Sequence, residues 1–362
     1  MRAADWSMLD TPEQRLAWDA LAACSAEPNP FHESWYLLPA LRALDPQRSV
    51  RMLCFEHGGD LAGLIPLRLE PRYYRWPIPQ LCNWIHGNCF LGTPLVAARL
   101  ERAFWRALLD WADEHAGYGL FLHLAQLALD GPVHAALQAV LSEQDRPAGL
   151  VWHEERAMLA SDQSPQAYFE ESLSGKKRKE LRRQFARLSE LGEVQIERRN
   201  DGERLSRWIE DFLALEHSGW KGAAGSALAS HQSTTRLFKD ALSGAASRGR
   251  LERLTLTLDA QPVAMLASFI APPGAFSFKT AFDERYSRYS PGVLLQRENL
   301  ALLDNPAVEW CDSCASADHP MIDHIWRERR PVGRLSIAIG GKLRRAVFAR
   351  LLSAELGRKP TV

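Results

Sequence analysis

Residues 278–295 read Phe-Lys-Thr-Ala-Phe-Asp-Glu-Arg-Tyr-Ser-Arg-Tyr-Ser-Pro-Gly-Val-Leu-Leu. A strand carrying Lys279, a short loop from Asp283, and Ser290-Pro291-Gly292 opening a helix is a sound way to hold a phosphate. The first turn of a helix has N–H groups without helical partners, its dipole is positive there, and glycine lets the backbone come close. Pro291 at the first helical position gives up an N–H that had no helical partner. The same residues would also make an ordinary capped helix. Lys279 sits in an otherwise apolar run, so its charge must reach a partner or an anionic ligand, unless that strand face is solvated.

Other chemistry-bearing residues lie near turns. Glu216 and His217 precede Gly219-Trp220-Lys221, where a helix ends and a loop can line a cleft. Asp312 follows a strand expected over 307–310, a usual station for a functional carboxylate. His319 could pair with it as a base near neutral pH, or simply stand before Pro320 at a helix start. Cys311-x-x-Cys314 lacks a second ligand pair at zinc spacing, so buried thiols and no metal are expected. His86 lies in a polar and aromatic stretch, Trp84-Ile-His-Gly-Asn-Cys-Phe90, and could face a cleft or be structural. Tyr73, Tyr74 and Trp76 could form an apolar lip or a packed loop.

These residues need a frame. The apolar spacing predicts helices over 11–24, 34–44, 99–115, 132–141 and 205–219, and strands over 120–124, 194–197, 254–258, 263–270 and 275–282. Thr11 with Pro12 is an N-cap signature. His57-Gly-Gly-Asp60 joins the runs 51–56 and 61–69 as a hairpin. A helix runs from Ser290 to about residue 303. Two helices, three strands and a helix thus occur twice, with Asp60-Leu-Ala-Gly and Gln261-Pro-Val-Ala in equivalent places. This is a repeat of architecture, not of sequence.

Composition sets outer limits. The 362 residues hold 44 Lys+Arg and 44 Asp+Glu, with 46% hydrophobic and 24% charged residues, ordinary for a folded soluble protein and too long for one typical domain. Neutrality argues against a dedicated nucleic-acid binder, DNA included. Residues 1–160 nevertheless have 13 arginines, no lysine and 19 acids, a net of −6, which the remainder balances at +6. Most of that excess lies between Lys176 and Glu190, a basic helix suited to phosphates or an acidic partner surface, or simply solvated. No run of 18 apolar residues suggests a membrane span, and no apolar secretory stretch follows Met1. With six sparse cysteines, a reduced cytoplasmic protein is expected.

Several stretches, in this order, resemble one family. Asn29-Pro-Phe31 with Gly63-Leu-Ile-Pro-Leu67, the basic run Ser174–Arg183, Glu216-x-x-x-Trp220-Lys221, and Asp283-Glu284-x-Tyr286-x-x-Tyr289-Ser290-Pro291-Gly292-x-Leu294-Leu295 are similar to the GNAT acyltransferase superfamily. The likeness is to its FemAB-like and cellulose-biosynthesis CelD-like branch, built from two fused GNAT folds, and spans roughly residues 28–330. One glycine stands where typical members have Arg/Gln-x-x-Gly-x-Gly/Ala.

The resemblance implies an α/β (α+β) chain of two tandem GNAT-like folds, with mixed, mostly antiparallel sheets flanked by helices. Their expected bounds are 1–160 and 161–345, with the basic helix over 174–190 and a C-terminal helix or tail over 346–362. It implies transfer of an acyl group from acyl-CoA or acetyl-CoA, or from an acyl carrier protein thioester, to a small-molecule or lipid-like amine. Direct attack needs no protein nucleophile. Glu216, His217, Asp312 and His319 are the candidate catalytic groups, and Lys279, Tyr289, Ser290, Gly292 and Val293 the donor site. Trp220, Lys221, Asp283, His86 and Trp326 would meet substrate, with the acceptor between the domains. The alternatives are a Fem-type aminoacyl-tRNA-dependent ligase and a catalytically inactive GNAT-fold binding module.

Overall fold

In the computed structural model, which describes residues 1–357, the chain runs β1 (Arg2–Asp5), α1 (Pro12–Ala23), α2 (Ser34–Leu44), β2 (Arg51–His57), β3 (Asp60–Glu70), β4 (Gln80–Asn83), β5 (Leu95–Val96), α3 (Glu101–His115), β6 (Phe121–Ala128), α4 (Pro132–Glu143) and β7 (Ala148–Leu159). It continues with α5 (Pro165–Ser172), α6 (Gly175–Ser189), β8 (Val194–Arg199), α7 (Leu205–Ser218), α8 (Trp220–Ala223), α9 (Gln232–Ala246), β9 (Leu251–Leu258), β10 (Gln261–Ala271), β11 (Gly274–Phe282), α10 (Pro291–Asn299), β12 (Trp310–Asp312), β13 (Glu328–Ala338) and α11 (Lys342–Leu356).

Two compact units result, one of residues 1–155 with 331–357 and one of residues 156–330. In the first, β1, β2, β3, β4, β6 and β13 lie side by side, and β5 pairs with β3. All pairs are antiparallel except β4 with β6, where Leu81 meets Leu122. α3 makes that parallel crossover. Its stripe of Phe104, Trp105, Leu108 and Leu109 packs on Leu53, Ile65 and Leu122, all fully buried. Burying such side chains is worth about 1.5–3 kcal/mol each. Thr11 caps α1 as its type and Pro12 suggest, accepting from the Gln14 N–H at 3.3 Å.

The second unit repeats the plan. β12, β11, β10, β9 and β8 are neighbours in that order, with β11 and β12 the parallel pair and α10 the crossover between them. Its core has two parts. One gathers Leu254, Leu256, Val263, Leu266, Leu294 and Leu295; the other gathers Tyr168, Phe169, Ala275, Leu300, Ile325 and Trp326.

Each unit takes one strand from beyond the expected boundary. The end of β7 pairs with β12, Leu159 against Cys311 and Met158 against Asp312. β13 pairs with β6 in the first unit, Ile337 against Leu122. The grouping therefore differs from the expected bounds of 1–160 and 161–345. The stretch 331–345 was expected to close the second domain, yet it belongs to the first unit, and α11 begins at Lys342 rather than near 346. Strand pairing between positions as far apart as 159 and 311, or 122 and 337, leaves no local signal in a sequence. The last five positions of the expected tail lie outside the described residues. Among those described, no helix is long and apolar enough to cross a membrane.

Candidate functional site

The second unit assembles several of the candidate residues around one opening in its sheet. β11 and β12 pair only at Gly274–Trp310, Ala275–Cys311 and Phe276–Asp312. β12 ends there, while β11 continues to Phe282. Beyond Phe276 no named strand pairs with that edge of β11, among the described residues. On its other edge β11 carries a bulge: Ser277 faces Ser268 and Lys279 faces Ala267, with Phe278 left over between them. A bulge adds twist and re-aims the following side chain.

Lys279 is that following residue. It is partly buried, and burial brings its ammonium down to a pKa of about 8, with the nearby Lys221 cation pushing the same way. Glu216 and Cys314 act in the opposite sense. Glu216 sits on the same face of α7 as Ile209, Phe212 and Leu213, so the helix turns a carboxylate into its own apolar side. One oxygen accepts from Lys221 Nζ at 2.9 Å and the other from the Leu228 N–H at 2.8 Å. Both oxygens thus have donors. Glu216 fixes Lys221 and the turn at Leu228, which makes it an anchor for a cation and not a free base.

His319 lies near this group. Its ring is half-buried, Nδ1 has no hydrogen-bond partner, and burial together with Lys221 lowers its pKa. Lys279, Lys221, Glu216 and His319 are therefore brought into one electrostatic neighbourhood, whereas the sequence offers His319 as a partner of Asp312 and Lys279 as part of the donor site.

Other candidates are placed differently. Asp312 is fully buried, accepting from Arg156 at 2.5 Å, Arg330 at 3.0 Å and the Cys314 N–H at 2.9 Å. Burial alone would raise its pKa, but the two guanidiniums hold the carboxyl below the usual range. It is a structural ion-pair centre and does not pair with His319. Trp326 has no exposed surface and is core to the second unit, so it does not line a surface for substrate. His217 is exposed, turned away from the buried face that carries Glu216. Asp283 is spent locally: it accepts the Arg285 N–H at 2.9 Å and holds that arginine's guanidinium, which lowers its own pKa. Trp220 is 61% exposed, and its N–H donates to Glu284 at 2.7 Å.

His86 belongs to the first unit. Its ring is parallel to that of Tyr36, 9° apart with centroids at 6.2 Å, and its Nδ1 accepts the Asn88 N–H at 3.3 Å. This arrangement suits a structural histidine.

The loop before α10 follows the expected pattern with one addition. Tyr289 is buried beneath the Arg288 guanidinium at 4.7 Å, and Ser290 takes a left-handed conformation at φ 52°. Its carbonyl accepts from the Val293 and Leu294 N–H groups at 2.9 and 3.0 Å. Over Gly292 lies Met321, whose Sδ is 2.5 Å from where a Cβ would stand. The space a side chain would take at Gly292 is thus filled by a flexible thioether. Tyr289 also lines a hollow of about 260 Å³ in which Arg187 and Arg288 are balanced by Glu180 and Glu190.

Sequence reasoning missed Met321 and the Arg156–Asp312–Arg330 cluster, since neither has a local signature. The inward Glu216 was available from helical spacing. Cys311 and Cys314 are buried thiols, pushed up by burial, and among the described residues no three His, Cys, Asp or Glu side chains converge as metal ligands would.

Residues 175–319 match the family model described as an acetyltransferase (GNAT) domain. Over the whole chain, the crystal structure of FemX is similar, with a TM-score of 0.57 at 10% identity, covering 97% of this chain and 100% of that one. A conserved protein of unknown function from Bacteroides thetaiotaomicron VPI-5482 superposes with a TM-score of 0.55 at 12% identity, covering 90% and 97%. The C-terminal domain of a candidate lysylphosphatidylglycerol synthetase from Agrobacterium fabrum does so with 0.54 at 14% identity, covering 94% and 96%. No curated protein matches the sequence.

Proposed function

From the GNAT-superfamily, Fem-like fold that this chain carries, we propose that the second unit transfers an acyl group from a thioester, acyl-CoA or an acyl carrier protein, to an amine. The observation that supports it most is the parting of β11 from β12 beyond Phe276, with Lys279 on the freed stretch and the Glu216–Lys221 pair beside it. An open strand edge offers N–H and C=O groups to an extended partner such as a donor's amide-containing arm. An N–H on that edge would steady the oxyanion as the carbonyl is attacked.

The chemistry is then direct. The acceptor ammonium gives one proton to a base, its nitrogen attacks the carbonyl carbon, the carbon–sulfur bond breaks, and the leaving thiolate takes the second proton that the nitrogen sheds as the amide forms. Lys279, with a pKa near 8, is neutral often enough at mildly alkaline pH to accept the first proton. Lys221 stays fixed on Glu216 and supplies positive charge for the leaving sulfur or for the donor's phosphates. The donor site is Tyr289, Ser290, Gly292 and Val293 once Met321 has swung away.

A second reading is favoured by that same Met321 and by α6. The covered Gly292 and the exposed Lys176, Lys177, Lys179 and Arg183 of α6 suit a large polyanionic donor, as in aminoacyl-tRNA-dependent transfer. Thermal shift separates the two. Stabilisation by coenzyme A or an acyl-CoA is expected on the first reading; stabilisation by tRNA alone replaces it with the second. No shift by either favours an inactive binding module.

A further inference from the structure

A second hollow lies in the first unit, built from residues that acyl transfer in the second unit does not use. The loop Tyr73–Trp76 stands opposite the last turns of α11, and between them is an apolar cleft of about 730 Å³. Ile78, Phe121, Phe348 and Leu352 form its inner wall, all but Ile78 buried. Its rim keeps large apolar groups in water: Tyr74 is 59% exposed, Trp76 55% and Leu351 39%. Leu343 and Val347, four residues apart and also exposed, continue the apolar line along α11. A volume in this range, walled by hydrophobic side chains with few polar groups, is the usual form of a small-molecule site.

The polar groups at the rim indicate which small molecule. Glu355 accepts from the Tyr73 hydroxyl at 2.8 Å, and the Tyr74 hydroxyl accepts from Arg334 at 3.0 Å. Arg75 rests its guanidinium on the Trp76 ring at 5.3 Å, an exposed cation at the mouth. Exposed Arg72 and Arg350 stand next in sequence to cleft residues. The interior is apolar, and the charged side chains that line it are Arg75 at the mouth and Glu355, whose carboxylate is taken up by the Tyr73 hydroxyl.

We propose that this cleft binds one long aliphatic chain ending in an anionic head, either a free fatty acid or the acyl chain of an anionic membrane lipid. The chain would lie against Phe121, Phe348 and Leu352, with the head at Arg75. The inference concerns the first unit alone and does not depend on the proposed acyl transfer.

Titration of the full-length protein with cis-parinaric acid, a long-chain fatty acid whose fluorescence rises in apolar surroundings, tests it. Saturable binding at one site per chain is expected, reversed by palmitate. Ala354→Trp, on the exposed end of α11, should fill the cleft and weaken binding at least about ten-fold. Arg75→Glu, fully at the surface, should weaken palmitate several-fold while leaving displacement by an uncharged long-chain alcohol unchanged. Circular dichroism melts confirm that each variant is folded. Displacement by phosphatidylglycerol vesicles, with co-sedimentation of the protein, assigns the chain to a membrane lipid. Displacement by palmitate without vesicle binding assigns it to a free acid. No saturable binding, binding untouched by both variants, or an exposed face taken up by a second copy with no fatty-acid binding would each overturn the proposal.

Discussion

Glu216 Oε1 and Lys221 Nζ stand 2.9 Å apart, with the carboxylate almost wholly buried and the ammonium partly open. The other carboxylate oxygen accepts the Leu228 N–H. Glu216 therefore ties the end of α7 to the turn that follows α8, and fixes a cation near Lys279. Replacing it by Gln keeps the shape but leaves Lys221 without its counter-charge. The expected cost is about 1–3 kcal/mol of stability, read as a lower urea midpoint. Acyl transfer should fall about ten-fold or more, and Glu216→Asp should recover less of it than of the stability.

Lys279 gives a pH signature. Its pKa of about 8 lies below the ordinary lysine value of 10.5, so the folded chain binds the proton less tightly than the unfolded one. The resulting penalty is complete below about pH 8 and is relieved as pH rises toward 10.5. Lys279→Met should then be more stable than the parent at pH 7, by about 1–3 kcal/mol, with the gap closing between pH 8 and 10. Denaturant midpoints across that range test this, and a gap independent of pH would show that the group is not shifted. The same variant should abolish the rise in transfer rate toward pH 8.

Met321 covers Gly292, and the two changes there should act oppositely on donor binding. Met321→Ala opens the first turn of α10 and should tighten coenzyme A binding several-fold. Gly292→Asp adds bulk against Met321 and a negative charge, and should abolish it. Isothermal titration of both variants is the measurement; equal affinities would remove the turn from the donor site.

Asp312 should matter to folding and not to the proton transfers. Asp312→Asn removes the buried carboxylate that Arg156 and Arg330 share, at a cost of about 3–5 kcal/mol. Its carboxyl is held below the ordinary range, so the stability it contributes is present above about pH 4 and fades as pH falls through the lowered value. Urea midpoints at pH 7 and at pH 3 should show the difference between parent and variant shrinking on acidification.

How far the sequence could be read depended on the range of each interaction. α2 was legible to the residue, and the hairpin of β2 and β3 to within one, because apolar spacing and turn glycines act within a few positions. The strands β7 and β13 were not, because each is fixed by partners far along the chain. β12 was expected at 307–310 but spans Trp310–Asp312, since its register is set by β11 and β7 rather than by its own pattern. In the site, Glu216 and Lys221 were named from a helix end and from the family resemblance, with Glu216 as a base; both of its oxygens are instead held by donors. Asp312 misled because a carboxylate at a strand end looks alike whether it faces substrate or, as here, two arginines from distant segments. Trp326 stood among charged residues in sequence and is core in the fold.

Thioester-dependent acyl transfer by the second unit has a direct readout. Release of free thiol from a panel of acyl-CoAs with primary amines, parent against Lys279→Met, tests that most directly. Amine-dependent release with at least one donor, lost in the variant while its fold is kept, is the predicted result. No release with any donor, together with no thermal shift by coenzyme A, would contradict it.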